Sequence, residues 1–262
     1  MTVIGAHDRP RRQARPETIE RNISDQVAAT LGREIIRGVH PPGAQLPNSD
    51  EMCARFQVSR TALREAYSLL SAKALIAARP KTGTRVRPRE DWNLFDPDVL
   101  AWHMQSSPTG AFIADLFVLR QMVEPAAAAL AAESKSRETI DRIGDAYGRM
   151  AEFKDGSGDL IEADLDFHMG ILRATGNPFL SALGGLIRAS LYAAFRYSWE
   201  GAARIQDSRL NQHFLILEAI RAGEPEVARE RMSELLSDSL EDVRAFLAKS
   251  KSPAEPKSSR EA

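Results

Sequence analysis

Ionisable side chains that interrupt apolar helical seams are the first candidates for chemistry in this sequence. One seam runs Ile113, Leu116, Phe117, Arg120, Val123, Glu124, Ala127; a second runs Ile161, Asp164, Leu165, His168, Ile171, Leu172; a third runs Leu210, His213, Phe214, Leu217, Ile220. A stripe of this period faces a core, where an ionisable group must be paired, hydrogen-bonded or bound to a ligand because its desolvation is otherwise uncompensated. A lone seam histidine is ordinarily a satisfied core residue. Arg120, Asp164, His168 and His213, spread over three seams, predict instead a polar pocket inside a helical bundle. Asp164 and His168 stand one helical turn apart and point the same way. With His213 they offer one oxygen and two imidazole nitrogens, a set compatible with zinc, nickel, manganese or iron. Arg120 suits a carboxylate ligand, which its planar fork can clamp bidentately. The plainer alternative is an i,i+4 ion pair with Glu124, worth about 0.2–0.5 kcal/mol on a helix surface.

A second set carries different chemistry. Arg60, Thr61 and Arg64 fall opposite the apolar stripe Leu63, Ala66, Leu70, with Ser59 just ahead as an N-cap. Arginine can bond guanine O6 and N7 bidentately, each such pair discriminating by about 1–3 kcal/mol. Ser59 and Thr61 can donate to phosphates, as can the amides of a helix start. Downstream, Arg79, Lys81 and Thr82 are placed to reach phosphates or the minor groove, and Gly83 permits close backbone approach. A solvated basic face is the ordinary explanation for two arginines on a helix; the elements around them argue against it.

Those elements are legible. Ile23, Val27, Leu31 and Ile35 recur at four-residue steps, giving a helix from Asn22 to Gly38. Asn48 and Glu51 form a capping box for a second helix ending near Phe56, and a third runs from Ser59 to about Lys73. Leu75–Arg79 and Thr84–Arg87 then flank Pro80-Lys81-Thr82-Gly83, which predicts a hairpin with a basic tip. Helix, short connection, helix and basic hairpin make a winged helix-turn-helix, whose second helix of the pair enters the major groove. Beyond a link over 89–108, helical period recurs over 111–134, 136–154, 158–175, 178–198, 207–222 and 224–248, predicting an all-α antiparallel bundle over 109–248. The fold class is therefore mainly α. Residues 1–19 form a basic tail and 249–262 a polar tail, both expected to be disordered.

Charge follows the same division. The 262 residues sum to −1, but residues 1–90 hold 16 basic and 9 acidic side chains, net +7, and residues 91–262 hold 19 and 27, net −8. Such asymmetry points to nucleic acid or a membrane as partner of the basic part. No run approaches the roughly 20 apolar residues of a membrane span, and the Arg-rich start has no apolar secretion core. Cys53 stands alone, which excludes an intrachain disulfide and a cysteine zinc cluster. A cytoplasmic protein is expected.

Residues 20–88 resemble the GntR-type DNA-binding domain through Gly43, Leu46-Pro47, Glu51, Val58-Ser59-Arg60 and Arg64-Glu65-Ala66. The resemblance implies that Arg60, Thr61 and Arg64 read operator DNA, with Lys81 to Gly83 on the wing. One departure stands out. Relatives often carry Ser-Glu-Arg after the Leu-Pro, and this chain has Asn48-Ser49-Asp50, so that arginine's contact is not carried over. Residues 109–248 resemble the FCD ligand-sensing domain of the FadR subfamily, with Arg120, Glu124, Asp164, Phe167-His168, Asn177 and His213 at motif positions. That resemblance implies an effector site at Arg120, Asp164, His168, Asn177 and His213. It also implies a divalent-metal site built from one Asp and three His. The last of these falls at Leu235, on the seam Ala228, Met232, Leu235, so metal binding stays open between no ion and three ligands completed by water or an effector carboxylate. The segments Asp91 to Trp102 and Ala193 to Trp199 are similar to those of sugar-acid-responsive, galactonate-type repressors of the family, which implies an aldonate effector.

The leading expectation is a ligand-responsive transcriptional repressor, acting as a homodimer on a palindromic operator and released by a small carboxylate, with no membrane partner and no catalysis. A metal-dependent hydrolase fused to a DNA-binding module is the alternative. Against it, the seams carry no HExxH, no adjacent His-Asp dyad and no further general base. A constitutive architectural DNA binder leaves the inward-facing polar cluster unexplained.

Overall fold

Helix α1 (Pro16–Ile36) turns Val27, Ala28, Leu31, Ile35 and Ile36 inward, and the computed structural model buries them against Leu63, Ala66 and Leu70 of α3 (Arg60–Ala72). The structure describes residues 16–79, 83–106, 108–153 and 160–250. Most of both predicted tails (1–15 and 251–262) and the wing tip (80–82) lie outside the described residues. Residues 16–19, assigned to the basic tail, already belong to α1, and 249–250 belong to the last helix.

Local chemistry sets the rest of the N-terminal unit. Asn48 Oδ1 accepts the amides of Asp50 and Glu51, both at 3.0 Å, and the Asn48 amide donates to Glu51 Oε2, which opens α2 (Ser49–Phe56) with the expected capping box. The helix stops because Gln57 turns left-handed at φ 54°. Ser59 Oγ then accepts the Ala62 amide at 3.1 Å and starts α3. Strands β1 (Ile76–Arg79) and β2 (Gly83–Val86) pair antiparallel, Ile76 opposite Val86 and Arg79 opposite Gly83. Ile76 and Val86 point into the core beside Leu75.

The expected link over 89–108 is corrected. After a 3-10 turn at Arg89–Asp91 comes α4 (Pro97–Gln105), and this stretch packs into the N-terminal unit, which extends to Ser106. Trp92, Val99 and Trp102 join its hydrophobic core. The Trp92 indole donates to the Arg87 carbonyl at 3.0 Å, and Lys73 Nζ donates to Asp96 at 2.8 Å and Asp98 at 2.7 Å. Two buried tryptophans outweigh the polar residues that made the segment read as a link.

The second unit is a bundle of α5 (Gly110–Ala132), α6 (Arg137–Glu152), α7 (Leu160–Ala174), α8 (Pro178–Ala182), α9 (Gly184–Ala222) and α10 (Pro225–Ser250). Helix α5 packs on α10 and α9, α6 on α7, and α9 on α10. Buried Ala127, Ala128, Ala131 and Ala132 on α5 lack the bulk that would hold those neighbours apart. One expectation fails here. The predicted helices 178–198 and 207–222 are a five-residue α8 followed by a 39-residue α9 that continues through 199–206. Gly201 interrupts the pattern but not the helix, because it costs only about 1 kcal/mol and no proline accompanies it. No described helix is long and apolar enough to cross a membrane.

Candidate functional site

The N-terminal unit presents the first candidate surface. Burial of Ala62, Leu63, Ala66 and Leu70 fixes the rotation of α3, leaving Ser59, Arg60, Thr61 and Arg64 exposed together at its N-terminal end. Arg60 Nη2 donates to Asp50 Oδ1 at 2.7 Å, a contact the sequence reading did not foresee; the signal available was an acid in the first turn of the neighbouring helix. Gly83 is exposed with φ 80°, and a Cβ there would lie 2.9 Å from Gln45 Nε2, so this corner requires glycine. The Arg79 side chain, Lys81 and Thr82 lie outside the described residues.

The second site lies inside the bundle. Helix α5 supplies Arg120 and Glu124, α7 supplies Asp164 and His168, and α9 supplies His213, all five buried. His213 Nε2 lies 2.8 Å from Asp164 Oδ1, and His168 Nε2 lies 3.7 Å from the same oxygen. Both opposite ring nitrogens meet protein oxygens: His213 Nδ1 sits 2.7 Å from the Arg209 carbonyl, and His168 Nδ1 sits 2.5 Å from Glu124 Oε2. Arg120 Nε donates to Glu124 Oε1 at 2.5 Å, and its Nη2 lies 3.4 Å from His168 Nε2. The Phe167 ring stands edge-on to both imidazoles, with centroids 5.8 and 4.9 Å away.

Burial and charge compete here, and charge prevails. Burial works to raise the Asp164 pKa, yet the bond and charge of His213, with the charges of His168 and Arg120, hold it below the usual carboxylate range. For Glu124 burial acts the same way, and the charges and hydrogen bonds of Arg120 and His168 push it down to about 2. Both carboxylates are therefore buried anions.

The donor set fits a divalent cation. One ligand atom from each of Asp164, His168 and His213 lies within 4.8 Å of the others. Their Nδ1 atoms turned onto protein oxygens leave both Nε2 atoms facing Asp164, the second-shell pattern that orients ligating histidines. Arg120 and Glu124 cancel in charge, leaving the Asp164 anion to be balanced by a protonated imidazole or a cation. Leu235 is buried and apolar, so it supplies no fourth donor.

Two expected site residues take other roles. Asn177 is exposed, and its Oδ1 accepts the Phe179 and Leu180 amides at 2.9 and 3.4 Å; it caps α8 and stands outside the buried set. Arg120 does reach the cluster, but its guanidinium is engaged by Glu124, and that pair is buried rather than the surface pair weighed from the sequence. Glu124 is the group missing from the expected effector set; its position on the Arg120 seam was the signal.

Residues 23–86 match the family profile described as bacterial regulatory proteins, gntR family, and residues 115–238 match the FCD domain. The galactonate operon transcriptional repressor of Escherichia coli (strain K12) is 31% identical over 83% of this chain and 95% of its own length. The HTH-type transcriptional regulator YieP of the same strain is 32% identical over 83% and 94%. The HTH-type transcriptional repressor NanR of Klebsiella aerogenes is 30% identical over 89% and 90%. Among solved structures, that of Lar, described as controlling expression of the Listeria monocytogenes agr system, has TM-score 0.59 at 16% identity over 85% of this chain and 96% of that one, a likeness of fold.

Proposed function

Since the chain belongs to the GntR family of bacterial regulatory proteins and joins that family's DNA-binding domain to an FCD domain, it is a transcriptional regulator rather than an enzyme, and we propose that it is a repressor released from operator DNA by a small carboxylate. An aldonate is the first effector class to try, on the similarity to a galactonate operon repressor. The observation that carries the proposal is the convergence of Arg120, Glu124, Asp164, His168 and His213 in one buried cluster. With its guanidinium engaged by Glu124, Arg120 does not by itself hold a carboxylate. Asp164, His168 and His213 would hold a divalent zinc, nickel or manganese ion whose charge supplies the attraction, and the position left without a donor by Leu235 is open to an effector oxygen.

In this reading the operator is palindromic, the working unit is a cytoplasmic homodimer, and Arg60, Thr61 and Arg64 read bases while Ser59 and the wing residues Arg79, Lys81, Thr82 and Gly83 meet the backbone. The effector must bind the DNA-incompetent state more tightly than the DNA-bound one, since equal affinity for both shifts nothing.

The test is direct. A duplex selected by the protein from a random library is labelled and followed by fluorescence anisotropy while galactonate, gluconate and related sugar acids are added, with zinc or manganese and with chelator. Release by one acid at sub-millimolar concentration, abolished by Asp164→Asn, supports the proposal. Unchanged anisotropy with every acid, with and without metal, removes the carboxylate effector.

A further inference from the structure

We propose that Asp50 is a specificity-determining residue that holds Arg60 in its base-reading orientation. The inference rests on the DNA-binding reading of α3 and assigns a role where the family resemblance left only a missing arginine. Arg60 is the first residue of α3 and 78% exposed, and Asp50, in the first turn of α2, is 72% exposed, yet Arg60 Nη2 and Asp50 Oδ1 meet at 2.7 Å. The acid is prepared for this contact. Its own amide is held at 3.0 Å by Asn48 Oδ1 within the capping box, so the carboxylate springs from a fixed backbone.

Three physical consequences follow. A long arginine side chain loses conformational freedom when it docks on a base, and a partner that already restrains it reduces that loss. The pair occupies one N–H of the guanidinium, leaving the others for the acceptor edge of guanine. Asp50 also sets a negative charge on the DNA-facing surface, where it neutralises Arg60 towards phosphates and penalises registers in which that arginine meets backbone instead of a base. In the free protein an exposed pair of this kind contributes little to stability. Its effect emerges when the interface excludes water.

The experiment uses the full chain, a duplex it selects in vitro, single-base variants of that duplex and random DNA, with anisotropy measured across a salt series. Asp50→Ala is expected to bind random DNA more tightly, with a salt dependence steeper by about one phosphate contact. It is also expected to reduce discrimination about fivefold to tenfold at the one base pair that Arg60 reads. In an Arg60→Ala background, Asp50→Ala should change discrimination no further, while all variants keep the parent melting temperature. Equal loss of discrimination in both backgrounds overturns the proposal, because Asp50 would then act without Arg60. Arg60→Ala with parental discrimination in the Asp50-containing chain would instead overturn the assignment of α3, and the two failures are distinct.

Discussion

Glu124 illustrates how burial decides what a side chain does. From the sequence, Arg120 and Glu124 are one turn apart, a spacing that on a surface contributes a few tenths of a kcal/mol. In the bundle both are buried, and Glu124 also faces His168 Nδ1. Removing it strands a guanidinium and an imidazole edge in the core, so Glu124→Ala should destabilise the bundle by about 3–5 kcal/mol, measured by urea unfolding. A loss below about 1 kcal/mol would mean the cluster relaxes to solvent. Leu235→His is the complementary change. If position 235 completes the donor set, zinc affinity measured by competition with a chelator should rise at least about tenfold, and no rise would show that the side chain faces elsewhere. The buried cluster of Asp164, His168 and His213 was legible because ionisable groups break an apolar period. Asn177 stands apart from that cluster as the exposed cap of α8, and in the sequence an asparagine at a motif position looks alike whether it caps a helix or meets a ligand.

At the level of elements, helical period and cap chemistry located α1 to α3, the hairpin, and α5 to α7. They failed where burial depends on distant partners. Residues 89–108 were assigned to a link because Asp91, Asn93, Asp96 and Asp98 are polar and the short apolar piece Val99 to Met104 does not reveal its partner, but Trp102 lies over Gly32 of α1, where a Cβ would come within 2.3 Å of the indole. Gly32→Ala would ordinarily favour a helix by up to about 1 kcal/mol. Here overpacking costing about 1–3 kcal/mol should win, lowering the melting temperature of the N-terminal unit and shifting tryptophan emission to longer wavelength. Unchanged emission and an increased melting temperature would show that α4 is not clamped there. The same element predicts a pH dependence. Burial, reinforced by the Arg89 charge, pushes His103 from the ordinary 6.5 down to about 4. Between those values the unfolded chain binds more protons than the folded one, so stability is full above about pH 6.5 and declines as pH falls towards 4. His103→Gln should flatten the fall of the urea midpoint between pH 7 and 4.5; an equal fall in the variant would assign it to other groups.

At the scale of the whole molecule, the N-terminal unit to Ser106 holds 16 basic and 12 acidic side chains, net +4, and the bundle holds 19 and 24, net −5, so a net −1 conceals two parts of opposite charge. For the homodimer proposed above, two bundles of like charge would need an uncharged surface on which to meet. Helix α5 offers one. Its only charged residues are Asp115, Arg120 and Glu124, the last two are buried, and Val118, Met122 and Leu130 are exposed, Met122 at 74%. These side chains fall at four- and eight-residue steps, a stripe along one face, and an exposed apolar stripe of this kind marks a protein contact. Paired antiparallel about a two-fold axis near Met122, the helix would meet its own copy with Asp115 clear of its counterpart, and the isologous contact closes at two subunits. Met122→Glu should therefore give a monomer by sedimentation equilibrium at micromolar concentration, with the bundle's melting cooperative as before. It should also lower affinity for a full palindrome towards that for a half-site, because the second recognition helix is no longer tethered to the first. A variant that stays dimeric would move the interface off α5, and one that turns monomeric yet binds the palindrome with parental affinity would detach operator recognition from dimer formation.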